Sequence, residues 1–283
     1  MKFKKILILI MIFHFCFPSE SENKEKTQEE LNLEEILPDK ITKKKNESTI
    51  INYLMGKYNS KEYLKEHSDQ FYLREEVIQK FKEMLTAYQE YSQKNEDKKL
   101  PKMYISSAFR KFEHQKGIWE RKYKKYSEEI EDKNPEQIVS SILEYSSAPG
   151  TSRHHWGTDF DINTLENDYF EIGEGKDLFI WLAENAKKYG FCQPYNKREL
   201  RGKKGYFEEK WHWSYYPISN HLQKEWERLY NTKKIKISGF KGSEIMNKRA
   251  LDYVNSINEE CFIFEENMEN IPDFNEKEDG VIP

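Results

Sequence analysis

Residues 149–161, with the sequence PGTSRHHWGTDFD, decide how this chain is organised. They contain His154 and Asp161, and a second short stretch, EKWHWSY at 209–215, adds His212. Two imidazoles and one carboxylate are the ligand set that a catalytic zinc ion takes when its fourth position stays open for water. The two stretches together therefore predict a metal site.

The spacing within residues 158–163 predicts a strand with two different faces. Alternate residues of a strand face opposite sides of a sheet, so Asp159 and Asp161 share one face. Phe160 and Ile162 then share the other. Two neighbouring carboxylates repel each other unless a cation or a donor lies between them, and a metal ion meets that requirement.

The second stretch supplies a candidate for the proton chemistry. Its aromatic residues alternate with His212, as on a half-buried strand, and Glu209 lies three residues before this histidine. A carboxylate at the start of that strand can take a proton from water at the metal and hand it to a leaving amine, which is peptide hydrolysis. Periodicity alone leaves His155 as an alternative ligand to His154, because adjacent residues simply exchange faces.

Three motifs carry a resemblance to a known family. Residues 152–161, SRHHWGTDFD, resemble the Ser-x-His-x-x-Gly-x-x-x-Asp motif of the VanY-type zinc D-alanyl-D-alanine carboxypeptidases. Residues 209–212, EKWH, resemble their Glu-x-Trp-His motif, and residues 107–110, SAFR, followed by Gln115, resemble their Ser-x-x-Arg stretch. The motifs occur in the family's order, and the resemblance extends over about residues 60–220.

The resemblance implies a role for each matching residue. His154, Asp161 and His212 are expected to bind zinc. The resemblance thus selects His154 over His155 as the ligand. Glu209 is expected to be the general base, and Arg110 to bind or polarise the substrate near the scissile carbonyl. A further set is expected to contact or surround the substrate: Ser107, Gln115, Ser152, Asp159 and His155.

Two members of that further set have open roles. Many family members have a small residue where this chain has Asp159, so its carboxylate is expected either to orient His154 or His155 or to bind the substrate's amine. His155 is expected to be a structural histidine, with stabilisation of the developing oxyanion as the alternative.

The resemblance makes the partner a peptidoglycan stem peptide ending in D-Ala-D-Ala, from which the last D-Ala is released. One alternative is an endopeptidase on the same scaffold. A second is a non-catalytic, zinc-stabilised wall-binding module, against which the presence of Glu209 counts. A third is an accessory protein whose function lies in residues 222–283 and the amino-terminal helices.

The amino terminus predicts export to the periplasm or cell envelope. Residues 1–19 have a basic start and an apolar run too short for a comfortable membrane span, which is typical of a signal peptide. An uncleaved anchor and lipidation at Cys16 are the alternatives, and membrane contact is expected only through this segment. Cleavage removes three lysines from a chain of net charge −4, so the mature protein is acidic and is not expected to bind nucleic acid.

The remaining chain predicts one α+β domain, a small antiparallel sheet flanked by helices, which resembles the zinc DD-peptidase and hedgehog-like fold. Expected boundaries are a disordered linker at 20–50, the peptidase domain with its amino-terminal helices at 51–220, and an extension at 221–283. We expect a monomer. Cys192 and Cys261 are candidates for a disulfide after export. Residues 50–92 and 178–189 have helical spacing, and residues 103–107 and 235–240 read as short strands.

Overall fold

The computed structural model describes residues 36–38, 41, 46–68 and 71–262. The predicted signal peptide, Cys16 and most of the predicted linker lie outside these residues. Within the linker, however, Ile36, Leu37 and Ile41 are buried in a hydrophobic core, and residues 47–50 begin a helix. These parts of the predicted linker therefore belong to the folded domain.

The described chain alternates helices with short strands. The helices are α1 (Glu47–Leu54), α2 (Ser60–Tyr63), α3 (Glu75–Lys94), α4 (Phe112–Glu129), α5 (Pro135–Ile142), α6 (Gly173–Asn185), α7 (Tyr216–Asn231) and α8 (Ser243–Val254). The strands are β1 (Lys65–Ser68), β2 (Phe71–Leu73), β3 (Ile105–Ser107), β4 (Asp159–Ile162), β5 (Phe191–Cys192) and β6 (His212–Tyr215). No helix within these described ranges is long and apolar enough to span a membrane.

The sheet that carries the two motif strands is antiparallel, in the order β3-β4-β6-β5. Its two central strands, β4 and β6, place Asp161 opposite His212 and Phe160 opposite Trp213. Phe160, Ile162 and Trp213 all enter one hydrophobic core, which confirms the predicted alternation of faces. The α+β fold class is likewise confirmed.

Helices cover the apolar face of this sheet. Helix α3 buries Val77, Phe81 and Tyr88 along one side, because these residues recur at helical spacing. The Phe81 ring meets that of Phe160 with centroids 5.1 Å apart, and Trp181 of α6 packs on Tyr88 at 5.0 Å. With one face filled by apolar side chains, the other is left for the polar residues of β4 and β6.

The sequence misplaced several element boundaries. The predicted helical region 50–92 contains the β1–β2 hairpin between its helices, and the predicted strand 103–107 begins only at Ile105. The helix expected at 178–189 starts earlier, at Gly173, and its last turn is a 3₁₀ helix. Residues 235–240 are not a strand, although Ile235 and Ile237 are buried, so apolar alternation there reflects a loop packed on the core.

The carboxyl-terminal residues are part of the hydrophobic core that also buries Ile36, Leu37 and Ile41. Helix α7 runs across the domain boundary predicted at residue 220, and it buries Leu222, Trp226 and Leu229. The Trp226 indole Nε1 donates a hydrogen bond at 2.9 Å to the carbonyl of Gly150, which lies in the loop of residues 149–157 before β4, called the motif loop below. Further along, Cys261 forms the expected disulfide with Cys192 of β5, with Cα atoms 5.5 Å apart.

Replacing Trp226 by alanine is expected to lower the free energy of unfolding by about 3–5 kcal/mol, because it empties a buried site and removes a hydrogen bond to the motif loop. Urea denaturation of the full chain measures this. Lys224→Ala, at an exposed position of the same helix, is the matched control and should change stability by less than about 0.5 kcal/mol. Equal effects of the two substitutions would contradict the place given to α7 in the core.

Candidate metal centre

A tight turn delivers the first candidate ligand to the polar face of the sheet. Residues Arg153–Trp156 form a 3₁₀ turn that ends at Gly157, whose φ is 68°. The positive φ at Gly157 favours glycine, and a Cβ atom there would also lie 2.6 Å from Leu64 Cδ2. Strand β4 begins two residues later and carries Asp161.

The structure brings His154, Asp161 and His212 together. Asp161 Oδ1 lies 3.3 Å from His154 Nε2 and 3.3 Å from His212 Nδ1, and the two imidazole rings have centroids 4.6 Å apart. One potential ligand atom from each residue lies within 4.8 Å of the others, and all three side chains are buried. These are the three residues that the sequence predicted as metal ligands.

Each of these side chains is held by a hydrogen bond on its far side. His154 Nδ1 lies 2.8 Å from the carbonyl of Ala108, Asp161 Oδ2 accepts from Arg110 at 3.2 Å, and His212 Nε2 lies 3.0 Å from Asp159 Oδ2. The atoms that face one another are therefore His154 Nε2, Asp161 Oδ1 and His212 Nδ1. Partners of this kind fix the orientation and tautomer of metal-binding side chains.

The inward-facing atoms fit a metal ion. His154 Nε2 and Asp161 Oδ1 are both buried without a hydrogen-bond partner, which is costly for polar atoms unless something else satisfies them. Two imidazole nitrogens and one carboxylate oxygen suit zinc, with room for a further ligand on the cleft side. The residues present therefore fit the ion that the sequence predicted.

The negative charges of the carboxylates around His212 also favour a bound cation. Burial lowers the pKa of His212, but Asp159, Asp161 and Glu209 outweigh it and hold that pKa well above its usual value. Burial, reinforced by Arg110, lowers the pKa of His154 to about 4 and keeps its ring neutral. Three carboxylates thus favour positive charge on the His212 side of the cluster, either a proton or a divalent ion.

Glu209 stands beside the cluster at the base of a cleft of about 620 Å³. Its Oε2 lies 3.4 Å from His212 Nδ1, and its backbone N–H donates to the carbonyl of Tyr195 at 2.9 Å. Burial raises the pKa of the Glu209 carboxyl. Arg110, His154, Asp161 and His212 also line this cleft, so a substrate entering it meets the candidate base and the candidate ligands together.

The predicted substrate set occupies other positions. The cleft lining that the structure describes does not include Ser107, Gln115, Ser152, Asp159 or His155. Gln115 instead accepts from Arg110 Nη1 at 3.2 Å and donates to the carbonyl of Ser147 at 2.7 Å, so it orients the arginine. Ser107 pairs with Asp161 between β3 and β4.

His155 and Ser152 hold the motif loop. His155 is fully buried, its Nδ1 lies 2.5 Å from the carbonyl of Arg110, and its Nε2 accepts from the backbone N–H of Gly150 at 3.0 Å. Both ring nitrogens of His155 are thus engaged by backbone atoms, and His155 is not among the residues that line the cleft. The buried Ser152 accepts at its carbonyl from the His155 N–H.

Two features of the site escaped the sequence reasoning. Asp159 contacts His212 rather than His154 or His155, because the two strands pair in a register that sequence does not reveal. Lys122 of α4 lines the cleft and donates to Ser146 Oγ at 2.5 Å. Its spacing of seven residues from Gln115, two helical turns, is the signal that places both on one face of α4.

Comparisons with known proteins place these observations in a family. The family model described as "VanY: D-alanyl-D-alanine carboxypeptidase" matches residues 70–218, just over half of the chain. The fold and the donor set define a candidate metal centre of the kind found in hydrolases. The chain belongs to the VanY family, as its motifs predicted.

Individual relatives match over shorter ranges. A D-alanyl-D-alanine carboxypeptidase of Enterococcus faecalis is 29% identical over 116 residues, which covers 40% of this chain and 40% of that protein. An uncharacterized protein of Haemophilus influenzae is 34% identical over 80 residues, or 24% of this chain and 60% of that protein. The matched region thus spans less than two thirds of either relative.

Two solved structures are also similar. A mutant of the vancomycin resistance D,D-pentapeptidase VanY from a VanB-type cassette, in complex with Zn(II), has 23% identity and a TM-score of 0.43, covering 58% of this chain and 83% of that one. VanYB in complex with D-alanine-D-alanine has 22% identity and a TM-score of 0.43, covering 65% of this chain and 87% of that one.

Substituting Asp161 or His212 by alanine is expected to abolish stoichiometric zinc binding, because either change removes one of three protein donors. Metal content after dialysis against dilute zinc, measured by atomic emission, tests this. His114→Ala, an exposed histidine on α4, is the matched control and should retain one equivalent. One tightly held zinc in the Asp161→Ala protein would refute the ligand set.

Proposed function

We propose that this protein is a zinc-dependent D-alanyl-D-alanine carboxypeptidase that removes the terminal D-Ala from peptidoglycan stem peptides. The observation that carries the proposal is the meeting of His154, Asp161 and His212, through atoms that face one another, with Glu209 at the base of one cleft. Membership of the VanY family supplies the substrate class. His154, Asp161 and His212 would hold the zinc ion.

Zinc bound there would polarise the scissile carbonyl and lower the pKa of water, as it does in other hydrolases. Glu209 is then the proton carrier, since its carboxylate lies in the cleft 3.4 Å from His212. It accepts a proton from the attacking water and returns a proton to the nitrogen of the departing D-Ala. Two products leave, the shortened stem peptide and free D-Ala.

Arg110 acts on the substrate from a fixed position. Its two Nη atoms are held by Asp161 and Gln115, while its Nε is buried without a hydrogen-bond partner. These two hydrogen bonds hold the guanidinium in the lining of the cleft. It supplies positive charge next to the reacting carbonyl, where negative charge develops during attack.

Lys122 is the residue that favours removal of a terminal residue over internal cleavage. A carboxypeptidase must bind the free carboxylate at the end of its substrate, and two of the five N–H donors of Arg110 are already used by Asp161 and Gln115. Lys122 adds a second positive charge to the cleft lining, anchored on Ser146. Its ammonium group is the natural partner for the terminal carboxylate.

Export is part of the same proposal. Peptidoglycan lies outside the cytoplasm, and the disulfide between Cys192 and Cys261 is typical of an oxidising compartment. Residues 1–19 would provide the signal for export. We further propose that the exported protein acts as a monomer.

The proposal is tested with purified protein, a stem pentapeptide and, separately, a cross-linked muropeptide, each with and without a chelator, with products read by mass spectrometry. Loss of one D-Ala from the pentapeptide, abolished by chelation and restored by zinc, is the expected result. Cleavage of the cross-linked material alone would move the assignment to an endopeptidase. No cleavage of either substrate by zinc-loaded protein would favour a wall-binding module.

Glu209→Gln is expected to retain zinc and to lower kcat at least ~100-fold, because the amide cannot accept the proton of the attacking water. Steady-state turnover of the pentapeptide, with metal content measured on the same sample, checks this. Glu208→Gln, one residue away on the chain, is the matched control and should turn over normally. Near-normal turnover of fully loaded Glu209→Gln would remove it from the role of base.

Lys122→Met is expected to raise KM for the pentapeptide by about 10-fold, as loss of a charge-assisted hydrogen bond predicts. The same peptide with a carboxamide terminus should be affected little, since it offers no carboxylate. Lys124→Met, at an exposed position on the same helix, is the control. If Lys122→Met changed KM equally for both peptides, the carboxylate contact would be wrong.

A further inference from the structure

Asp159 is the centre of a buried polar network behind the candidate metal site. It is fully buried, and its Oδ1 accepts from Thr158 Oγ1 at 2.6 Å and from Ser214 Oγ at 2.9 Å. Its Oδ2 is 2.9 Å from Arg153 Nε and 3.0 Å from His212 Nε2. Of its four polar contacts, only the one to His212 leads toward the metal site.

We propose that Asp159, fixed by Arg153, is a positioning residue that sets the ring orientation and tautomer of His212, so that Nδ1 is offered to the metal. The proposal depends on the proposed metal site. It does not depend on which peptide is cleaved. It also replaces the sequence expectation that Asp159 orients another histidine or binds the substrate's amine.

The contact between Asp159 and His212 Nε2 sets the tautomer of the imidazole. A neutral imidazole has one N–H, and a carboxylate next to one ring nitrogen keeps the proton there. Asp159 lies at Nε2, which leaves the lone pair on Nδ1 directed at Asp161 Oδ1 and the cleft. Among the described residues, Asp159 is the hydrogen-bond partner of Nε2, so its loss weakens what resists rotation of the ring about its Cβ–Cγ bond.

Arg153 immobilises the carboxylate of Asp159. Besides Asp159, the guanidinium donates to Gln223 Oε1 at 2.6 Å, to Ser219 Oγ at 2.6 Å and to Ser214 Oγ at 2.8 Å. It also stacks on the Trp156 ring at 4.9 Å. A buried ion pair is tolerated when its remaining hydrogen bonds are satisfied, as they are here, and such a network is rigid.

The network also explains why the site needs α7. Gln223 and Ser219 lie on that helix, Arg153 lies in the motif loop, and Ser214 lies on β6 beside His212. One guanidinium thereby fixes three separate segments relative to one another.

The test compares zinc affinities of Asp159→Ala and Asp159→Asn with that of the unchanged protein, by competition with a chromophoric chelator and without any substrate. Asp159→Ala is expected to bind zinc roughly 10–100-fold more weakly, the effect typical of losing the outer partner of a metal-binding histidine. Asp159→Asn should lose less, because its amide oxygen can still accept from Nε2. The visible spectrum of the cobalt-substituted protein should change in Asp159→Ala, since the ligand ring moves.

Asp252→Ala, which removes an exposed aspartate of α8 that takes no part in this network, is the matched control. Its zinc affinity and cobalt spectrum should match those of the unchanged protein. If Asp159→Ala does not fold, Arg153→Met combined with Asp159→Ala removes the buried charge of both partners and gives the same test. Unchanged zinc affinity in the folded variants lacking Asp159, or an equal loss in Asp252→Ala, would overturn the proposal. Failure of the protein to cleave a stem peptide would leave these affinities unaffected.

Discussion

Three buried carboxylates around one imidazole are the constraint on which the site depends. Asp159, Asp161 and Glu209 all lie within 3.4 Å of His212, and their charge requires a compensating cation. Arg110 and Arg153 compensate part of this charge from the outside, each bound to one aspartate. His154 Nε2, Asp161 Oδ1 and His212 Nδ1 face one another on the inner side of the cluster, which is the candidate position of a metal ion.

The sheet makes this arrangement possible by separating polar from apolar side chains. On β4 and β6 the same four-residue strands bury aromatic and branched side chains on one face and the candidate ligands on the other. Helices α3 and α6 seal the apolar face, while the motif loop and α7 enclose the polar one. Two of the candidate ligands, Asp161 and His212, therefore rest on regular strands that a packed core holds rigid, which favours a metal site of fixed geometry.

The sequence predicted the parts of this structure that depend on local pattern. Alternation within a strand is a property of neighbouring residues, and it placed Asp159 and Asp161 on one face of β4 and separated His212 from the aromatic residues of β6. The choice of His154 over His155 came only from family resemblance. Periodicity could not supply it, since what separates the two is the tertiary contact of each ring with the backbone of Ala108 or Arg110.

What the sequence missed depends on contacts between distant segments. Asp159 contacts His212, which is 53 residues away in the sequence, and Arg153 donates a hydrogen bond to Gln223, which is 70 residues away. Residues 235–240 looked like a strand because their apolar residues alternate, yet Ile237 donates its backbone N–H to the side chain of Asn247 instead of a neighbouring strand. The boundary expected at residue 220 falls inside α7, and only the folded chain shows that Trp226 contacts the motif loop.

A crystal structure of the zinc-loaded protein, with anomalous diffraction recorded on both sides of the zinc edge, tests the central claim most directly. The account predicts one anomalous peak at about 2.0–2.2 Å from His154 Nε2, Asp161 Oδ1 and His212 Nδ1, with Nε2 of His212 still bonded to Asp159. A peak at any other set of residues, or a His212 ring bound through Nε2, would contradict it.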